Sequence, residues 1–360
     1  MTAVHVRCQQ VQLAHQGQLV LQKLSFEVPA GQSLALLGAP GAGKTHILRI
    51  LAGLQQPSAG QVWFNATNVT HLPAQLRRTG LLRADDALWP HLTLWRQLAL
   101  PLLGSPLGRS ERRERIGHWL ERLELSAASR ARPAQLTPYE RQRAALARIL
   151  VTEPHVLLCD APWANLDPDS AQHWRHTLQT LQRELGITMV LSTSQPHDAL
   201  AQDQIGLLHD GTLLQIGAPG PLYDAPATAR AARFFGTLNT LPARVLSRTD
   251  ERLVLAVDGL HDLVLPVEAD TPASDLVLVG FRPHAVHIVA GSSRGESRFQ
   301  WEPGVVVRSE LQGAHIRYHV VVGPHLVVVD QPHYRGEDWI APNTVVMIGL
   351  EVGQMRLLPE

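Results

Sequence analysis

The residues best suited to chemistry form one glycine-rich segment, Gly38-Ala39-Pro40-Gly41-Ala42-Gly43-Lys44-Thr45. It matches the pattern G-x-x-x-x-G-K-[ST], in which backbone N–H groups surround phosphates and the following helix adds a favourable dipole. The Lys44 side chain can reach the terminal phosphates, and the Thr45 hydroxyl can ligate Mg²⁺. Lys44 is one of only two lysines, so a general preference for basic residues does not explain it. The segment therefore predicts a nucleotide-binding site.

A carboxylate suited to the metal ion follows an apolar run. Val156-Leu-Leu-Cys159 is continuously apolar, as expected of a strand buried on both faces of a parallel sheet, and it ends at Asp160. An aspartate there can hold the metal of a nucleotide complex, although such a strand is not specific by itself. We therefore predict Thr45 and Asp160 as metal ligands, with a nucleotide and Mg²⁺ as cofactors.

The surrounding pattern predicts the elements that position these residues. A strand over Gln32–Leu37 leads into the glycine-rich turn, and helical spacing follows from Thr45. Residues 92–153 are mostly helical, with a strand over Val156–Asp160, a helix over Ser170–Leu185 and a strand over Ile187–Ser192. This alternation predicts an α/β core, which we assign to residues 1–236, with a helical subdomain at about 85–153.

The composition changes after Gly236. Short apolar segments are separated there by Gly, Pro and Asp, as in Arg252–Val257, Leu276–Phe281 and Val345–Leu350. Regularly spaced short strands predict a small all-β barrel or sandwich, which we assign to residues 237–360.

Length and composition restrict the class of protein. The chain has 360 residues, Lys+Arg 32 against Asp+Glu 32, and 45% hydrophobic residues, which fits a folded protein of two or three domains. The balanced charge gives no reason to expect a nucleic-acid partner. The start lacks the apolar core of a signal peptide, and no apolar stretch approaches a membrane span, so we expect a cytoplasmic chain.

Five motifs together resemble the ATP-binding cassette subunits of bacterial importers for sugars, polyamines, iron or sulfate. They are Leu36–Thr45, Ala87–Thr93, Arg143–Arg148, Pro154–Asp160 and Ala164–Asp167. The resemblance implies a P-loop NTPase core with a TOBE-like, OB-like β-domain. It further implies a head-to-tail homodimer or heterodimer, Mg-ATP between the phosphate loop of one chain and the signature loop of the other, and permease transmembrane subunits as partners on the inner face of the cell membrane.

The resemblance also identifies departures from the family pattern. His46 stands where a second hydroxyl is usual, and His15 stands at the adenine-stacking position; both are predicted nucleotide contacts. The signature Leu-Ser-Gly-Gly-Gln reads Leu136-Thr-Pro-Tyr-Glu140. Pro138 lacks an N–H donor and Tyr139 is expected to crowd the phosphate. Thr137 and Glu140 instead predict a capping box that closes the helix start.

Three family positions for chemistry are occupied by other residue types. The water-polarising carboxylate is Ala161, the switch histidine is Ser194, and the glutamine that senses the metal is Ala84. No catalytic residue is therefore assigned, and the predicted ATPase is expected to hydrolyse ATP very slowly, since losing a general base costs about 10²–10⁴ in rate.

Four nearby residues are candidates for a replacement base, but they fall at the wrong offset and solvated loop or helix charges explain them better: Asp85, Asp86, His197 and Asp198. An intact second subunit could rescue hydrolysis, although both defects on one chain argue against it. The alternative functions are a non-hydrolytic ATP-binding regulator or scaffold derived from an ABC ATPase, and a decaying duplicate without a role.

Further residues have two interpretations each. Trp89 and Trp95 could anchor a membrane partner or pack within the helical region. His315, Arg317 and His319 share one strand face, which allows metal or oxyanion binding, but a solvated face is favoured. Cys159 is predicted to be a core residue rather than a reactive thiol.

Overall fold

The computed structural model describes residues 3–85, 88–267, 274–291, 298–336 and 338–358, and the side chain of His15 is outside this description. The chain divides into two compact units, Met1–Gly220 and Pro221–Glu360. The functional boundary at residue 236 and the helical subdomain at 85–153 stay predictions.

The first unit alternates strands and helices. Its strands are β1 (Val6–His15), β2 (Gln18–Val28), β3 (Ser33–Leu37), β4 (Ala59–Phe64), β5 (Thr67–Asn68), β6 (Thr79–Arg83), β7 (Val156–Asp160), β8 (Thr188–Thr193), β9 (Gln204–His209) and β10 (Thr212–Gly217). Its helices are α1 (Lys44–Ala52), α2 (Leu94–Ala99), α3 (Arg109–Arg122), α4 (Pro138–Leu150), α5 (Pro168–Leu185) and α6 (Pro196–Leu200). A further helix, α7 (Pro219–Asp224), runs across the division between the units.

A six-stranded sheet positions the predicted site. Its order is β10-β9-β3-β8-β7-β6, and β3 pairs in parallel with both β8 and β9, while β7 pairs in parallel with β6 and β8. Because carboxyl ends of parallel strands meet at one edge, the glycine-rich turn after β3 lies beside the ends of β7 and β8. The antiparallel strands β2, β1, β4 and β5 form a separate sheet.

Alternate residues of β7 enter two different hydrophobic cores. Val156 and Leu158 pack with α1 and the antiparallel sheet, whereas Leu157 and Cys159 pack with α2 to α5. The strand is therefore buried on both faces, as its apolar run predicts. Cys159 is confirmed as a core residue, and burial raises the pKa of its thiol.

A buried guanidinium holds the C-terminal end of α1. Arg77 is 2% exposed and donates hydrogen bonds to four main-chain carbonyls, those of Ile50, Leu51, Thr70 and Leu72. These donors satisfy α1 carbonyls that have no partner within the helix.

The second unit contains two antiparallel sheets. Their strands are β11 (Asn239–Arg248), β12 (Arg252–Val257), β13 (Leu263–Pro266), β14 (Leu276–Phe281), β15 (Val286–Ala290), β16 (Gln300–Leu311), β17 (His315–Val322), β18 (His325–Pro332), β19 (Val345–Leu350) and β20 (Arg356–Leu358), preceded by α8 (Ala229–Arg233). The sheet orders are β13-β12-β11-β14-β20 and β15-β19-β16-β17-β18. The predicted fold class, an α/β core followed by a small OB-like all-β domain, is confirmed.

Candidate nucleotide-binding site

The glycine-rich loop requires glycine at two buried positions. A Cβ on Gly38 would lie 2.5 Å from the carbonyl oxygen of Leu208, and a Cβ on Gly43 would lie 2.5 Å from a methyl carbon of Leu21. Gly43 also has a φ of 98° at the start of α1, which non-glycine residues rarely adopt. Ala39, Pro40 and Gly41 are exposed at the tip, while Ala42 is buried beneath it. The loop can therefore present its backbone N–H groups outward to an anion.

Lys44 lies folded onto this loop. Its Nζ donates to the carbonyl oxygens of Gly38 at 2.6 Å and Ala39 at 2.8 Å. Burial lowers the pKa of Lys44, and the charge of Asp160 partly opposes that shift. The ammonium group is thus held beside the loop that is predicted to bind phosphate.

The predicted metal ligands meet at the sheet edge. The Thr45 hydroxyl donates to Oδ1 of Asp160 at 3.1 Å, and the hydroxyl of Ser192 donates to the same oxygen at 2.6 Å. Hydroxyl and carboxylate oxygens are the hard ligands that Mg²⁺ prefers, so the oxygens of Thr45 and Asp160 fit this ion. Ser192 was not predicted as a site residue. The sequence pattern predicted only that it ends a strand.

Of the two histidines predicted to contact the nucleotide, the structure describes the side chain of His46 only. The Nδ1 atom of His46 lies 2.9 Å from Oε1 of Gln55, so its ring is already paired within the unit. His15 is the last residue of β1, and its side chain lies outside the described part of the chain.

Ala161 occupies a strained turn directly after Asp160. Its φ is 45°, its N–H donates to the Ser192 carbonyl oxygen at 3.2 Å, and its own carbonyl accepts from Ala164 at 3.0 Å. A methyl group offers no proton acceptor, so this position has nothing to polarise a water molecule.

Ser194 is exposed in the turn between β8 and α6, and nearby Asp198 is fully buried. The Asp198 carboxylate accepts from Trp163 Nε1 at 2.8 Å and Thr193 Oγ1 at 2.7 Å, and Arg175 Nε lies 2.7 Å away. These partners occupy the carboxylate. The interpretation of Asp198 as a solvated charge is wrong, because its side chain is buried among these partners. Among the other rejected bases, Asp85 pairs with Arg83, His197 lies 2.9 Å from Asp198, and Asp86 lies outside the described residues.

The loop at Ala84 is held through its backbone. The Ala84 carbonyl oxygen accepts from Gln142 Nε2 at 2.7 Å and from Asn165 Nδ2 at 3.1 Å. The methyl side chain itself has no group that could sense a metal ion.

The helix that begins after Leu136 is closed by its own residues. The Glu140 N–H donates to Thr137 Oγ1 at 3.2 Å, and Glu140 Oε2 accepts from the Thr137 N–H at 2.8 Å. The predicted capping box is confirmed, with Pro138 in the first turn. Hydrogen bonding by the Thr137 N–H lowers the pKa of Glu140, so a carboxylate occupies the end of the helix where an anion could otherwise bind.

Tyr139 packs within its own unit, and its expected crowding of a phosphate stays a prediction. Its ring packs edge-to-face against Trp174 with centroids 6.0 Å apart, and the Arg143 guanidinium lies 4.7 Å from its centroid. The side chain therefore contributes to the packing of α4 on α5.

Of the two tryptophans near the Ala84 loop, Trp95 is half-buried and Trp89 is exposed. The Trp89 main chain is bracketed by the amide of Gln97, and Arg148 lies over its ring at 4.7 Å. Trp95 packs against the helical core and lines a groove of about 780 Å³ together with Arg109 and Arg112. Both tryptophan side chains therefore make contacts within the unit, as the packing interpretation predicts.

The strand face singled out in the second unit is an ion-pair site. Arg317 makes two hydrogen bonds of 2.7 Å to Asp330, which explains the raised pKa of Arg317. His315 lies 3.7 Å from the same carboxylate. No cluster of three or more His, Cys, Asp or Glu side chains suited to a metal occurs among the described residues.

Comparisons with known proteins agree with this geometry. The sequence profile described as ABC transporter matches residues 21–164. The Fe(3+) ions import ATP-binding protein FbpC of Brucella melitensis is 36% identical over 301 residues, which cover 83% of this chain and 83% of that protein. The spermidine/putrescine import ATP-binding protein PotA of Thermotoga maritima is 29% identical, covering 89% of this chain and 90% of that protein.

A solved structure gives the same result for the fold. The dimeric ATP-binding cassette MJ0796, in a post-hydrolysis state bound to ADP and Pi, is 25% identical with a TM-score of 0.53. The match covers 59% of this chain and 98% of that chain.

The fold and the site define a P-loop nucleotide-binding protein. The chain belongs to the ABC transporter family, among the ATP-binding subunits of importers. No helix in the described part of the chain combines the length and apolarity needed to cross a membrane.

Proposed function

We propose that this chain binds Mg-ATP through Gly38–Thr45 and Asp160 as the ATP-binding subunit of an importer, and that it hydrolyses ATP very slowly. The observation that carries the proposal is the contrast between Asp160 and its neighbour. Asp160 Oδ1 accepts a hydrogen bond from the Thr45 hydroxyl at 3.1 Å, so both predicted metal ligands are in place. Ala161, the next residue, has only a methyl group as its side chain.

The closed helix at Thr137–Glu140 supports slow hydrolysis independently. Glu140 Oε2 accepts hydrogen bonds from the Thr137 N–H at 2.8 Å and from the Thr137 hydroxyl at 3.0 Å. A helix start that already holds a carboxylate is a poor site for a second anion, because like charges repel. This end of α4 would therefore contribute little to the ATP of a partner subunit in a head-to-tail dimer.

The family supports the remaining parts of the proposal. The nucleotide-binding domain would extend to residue 236 and the TOBE-like domain from 237 to 360. The partners would be permease transmembrane subunits and a second ATP-binding chain, identical or different. The protein would then lie in the cytoplasm on the inner face of the membrane.

The test is to incubate the purified chain with Mg-ATP, remove free nucleotide, and identify what remains bound by chromatography. We expect intact ATP, and turnover far below the roughly 1 s⁻¹ of working enzymes. Lys44→Ala should retain no nucleotide, whereas Lys23→Ala, which removes the other, exposed lysine, should retain it normally. Retained ADP with rapid release of phosphate would contradict slow hydrolysis.

A second experiment separates the importer subunit from a soluble scaffold. Affinity purification from membranes of the source cell should recover a permease with the importer subunit. A complex that forms only with soluble proteins would favour the regulator instead.

A further inference from the structure

Ser192 is a buried hydroxyl at the metal site that the phosphate-loop pattern does not include. It lies on β8 directly beside Asp160 in the parallel register with β7, and it is 1% exposed. Its Oγ donates to Oδ1 of Asp160 across 2.6 Å. This length is typical of a hydroxyl bound to an ionised carboxylate, which is about twice as strong as a neutral hydrogen bond.

The same carboxylate oxygen accepts the Thr45 hydroxyl at 3.1 Å. Two donors from different elements, α1 and β8, therefore fix one oxygen of Asp160. With Oδ1 held, rotation of the carboxylate is restricted and the direction of Oδ2 is restricted with it. A hydroxyl that donates its hydrogen to a carboxylate also directs its lone pairs elsewhere, so the Thr45 oxygen stays available to a cation.

Ser192 also contacts the residue after Asp160. Its carbonyl oxygen accepts the Ala161 N–H at 3.2 Å, so side chain and main chain of one residue hold two consecutive positions. Burial removes water as an alternative partner for this hydroxyl. A hydrogen bond from an outer-shell residue, here Ser192, to a metal ligand, here Asp160, is the arrangement that orients ligands of metal ions.

We propose that Ser192 is a positioning residue of the Mg²⁺ site, which orients Asp160 and through it the Thr45 hydroxyl. The inference rests on the proposed binding of Mg-ATP. Since outer-shell partners typically change metal affinity by about 10–100-fold, Ser192→Ala should weaken the metal by roughly that factor. Binding of ATP without metal depends on the loop and Lys44, and should change by less than about 2-fold.

The test measures Mn²⁺ binding to the ATP complex by electron paramagnetic resonance, and ATP binding in EDTA by equilibrium dialysis. The variants are Ser192→Ala and the matched control Ser33→Ala. Ser33 is likewise a buried strand serine, 4% exposed, whose hydroxyl donates at 2.8 Å to a carboxylate, that of Asp203. Only Ser192→Ala should weaken Mn²⁺, and its spectrum should change because the ligand geometry changes.

The outcomes are separable. If wild-type chain binds no ATP in either condition, the proposed function and this inference both fail. If wild type binds ATP and Mn²⁺ affinity is equal in Ser192→Ala, this inference alone fails. Should Ser192→Ala not fold, Ser192→Cys gives the same comparison, because the thiol has similar size and is a weak donor.

Discussion

The indole Nε1 of Trp163 donates to Oδ2 of Asp198 across 2.8 Å, and this buried carboxylate joins the segments that contain Ala161 and Ser194. Trp163 follows Ala161 by two residues, and Asp198 follows Ser194 by four. The Thr193 hydroxyl donates to the same carboxylate oxygen, at 2.7 Å. The two segments are therefore tied to each other by one buried charge.

Removal of that charge should destabilise the first unit. Asp198→Ala leaves Arg175 without its ion-pair partner, and breaking a buried pair costs about 3–5 kcal/mol. Urea unfolding should show this loss in the free energy of unfolding. The control is Asp85→Ala, since Asp85 pairs with Arg83 at the surface, where such pairs contribute about 0–1 kcal/mol. Equal losses in the two variants would contradict the role of Asp198.

Restoring the missing groups should accelerate hydrolysis. Ala161→Glu combined with Ser194→His adds a base and a polar partner beside Asp160, and we expect phosphate release to rise by roughly 10², within the range of general-base effects. Ala161→Gln with Ser194→His has similar size but lacks the carboxylate, so it should stay near the wild-type rate. If neither double variant is faster in a single-turnover assay, the limit lies instead at the closed start of α4.

The capping box at α4 should give a measurable pH dependence. Thr137→Ala removes the cap and should lower the free energy of unfolding by about 1 kcal/mol. The pKa of Glu140 is lowered by the Thr137 hydrogen bonds, so its stabilising effect is complete above the ordinary value of 4.5 and is lost as the pH falls through the lowered pKa. Glu140→Gln should thus lie below wild type at pH 7 and approach it under acid conditions.

A matched variant checks that this effect belongs to the cap. Glu124 pairs with Arg143 on α4 at 2.8 Å, but its side chain is 85% exposed. Glu124→Gln should therefore change unfolding little at either pH. A difference between Glu140→Gln and wild type that persists unchanged to low pH would contradict the assignment.

The guanidinium beneath α1 should be among the most sensitive positions for stability. Arg77→Met removes the guanidinium donor from four carbonyls, of which that of Ile50 keeps the Gly53 N–H at 3.1 Å. A carbonyl left buried and unsatisfied costs about 1–3 kcal/mol, so we expect a loss of at least about 3 kcal/mol. The adjacent Arg78 is exposed, and Arg78→Met should cost less than about 1 kcal/mol in the same denaturation series. Similar losses for both would show that charge, rather than the carbonyl contacts, matters here.

Local patterns predict the parts of the site whose residues are close in sequence. The glycine loop, the start of α1 and the Thr137–Glu140 cap each depend on spacings of a few residues, which backbone geometry largely determines. The place of Asp160 beside the loop follows from parallel strands ending at one edge. Strand bounds in the second unit were also predictable, as for β12, β14 and β19, because alternation is strong there.

Contacts between distant segments could not be predicted in this way. The Ser192–Asp160 hydrogen bond spans 32 residues and depends on the register of β7 with β8. Arg77 reaches α1 from 26 and 27 residues away, and nothing in a single arginine indicates that it will be buried. The contact of Tyr139 with Trp174 could not be predicted for the same reason, since Trp174 lies on another helix.

Lys44 makes the site directly addressable by chemical labelling. An amine whose pKa is lowered by burial is unprotonated more often at neutral pH than an ordinary lysine, and the only other lysine side chain in the chain is Lys23. An acylating reagent followed by peptide mass spectrometry therefore reports on two side-chain amines, of which one lines the phosphate loop. If added nucleotide reduces the acylation of Lys44 but not of Lys23, the ratio of the two measures how much of the site is occupied. No engineered probe is needed, because Lys23 is the internal standard.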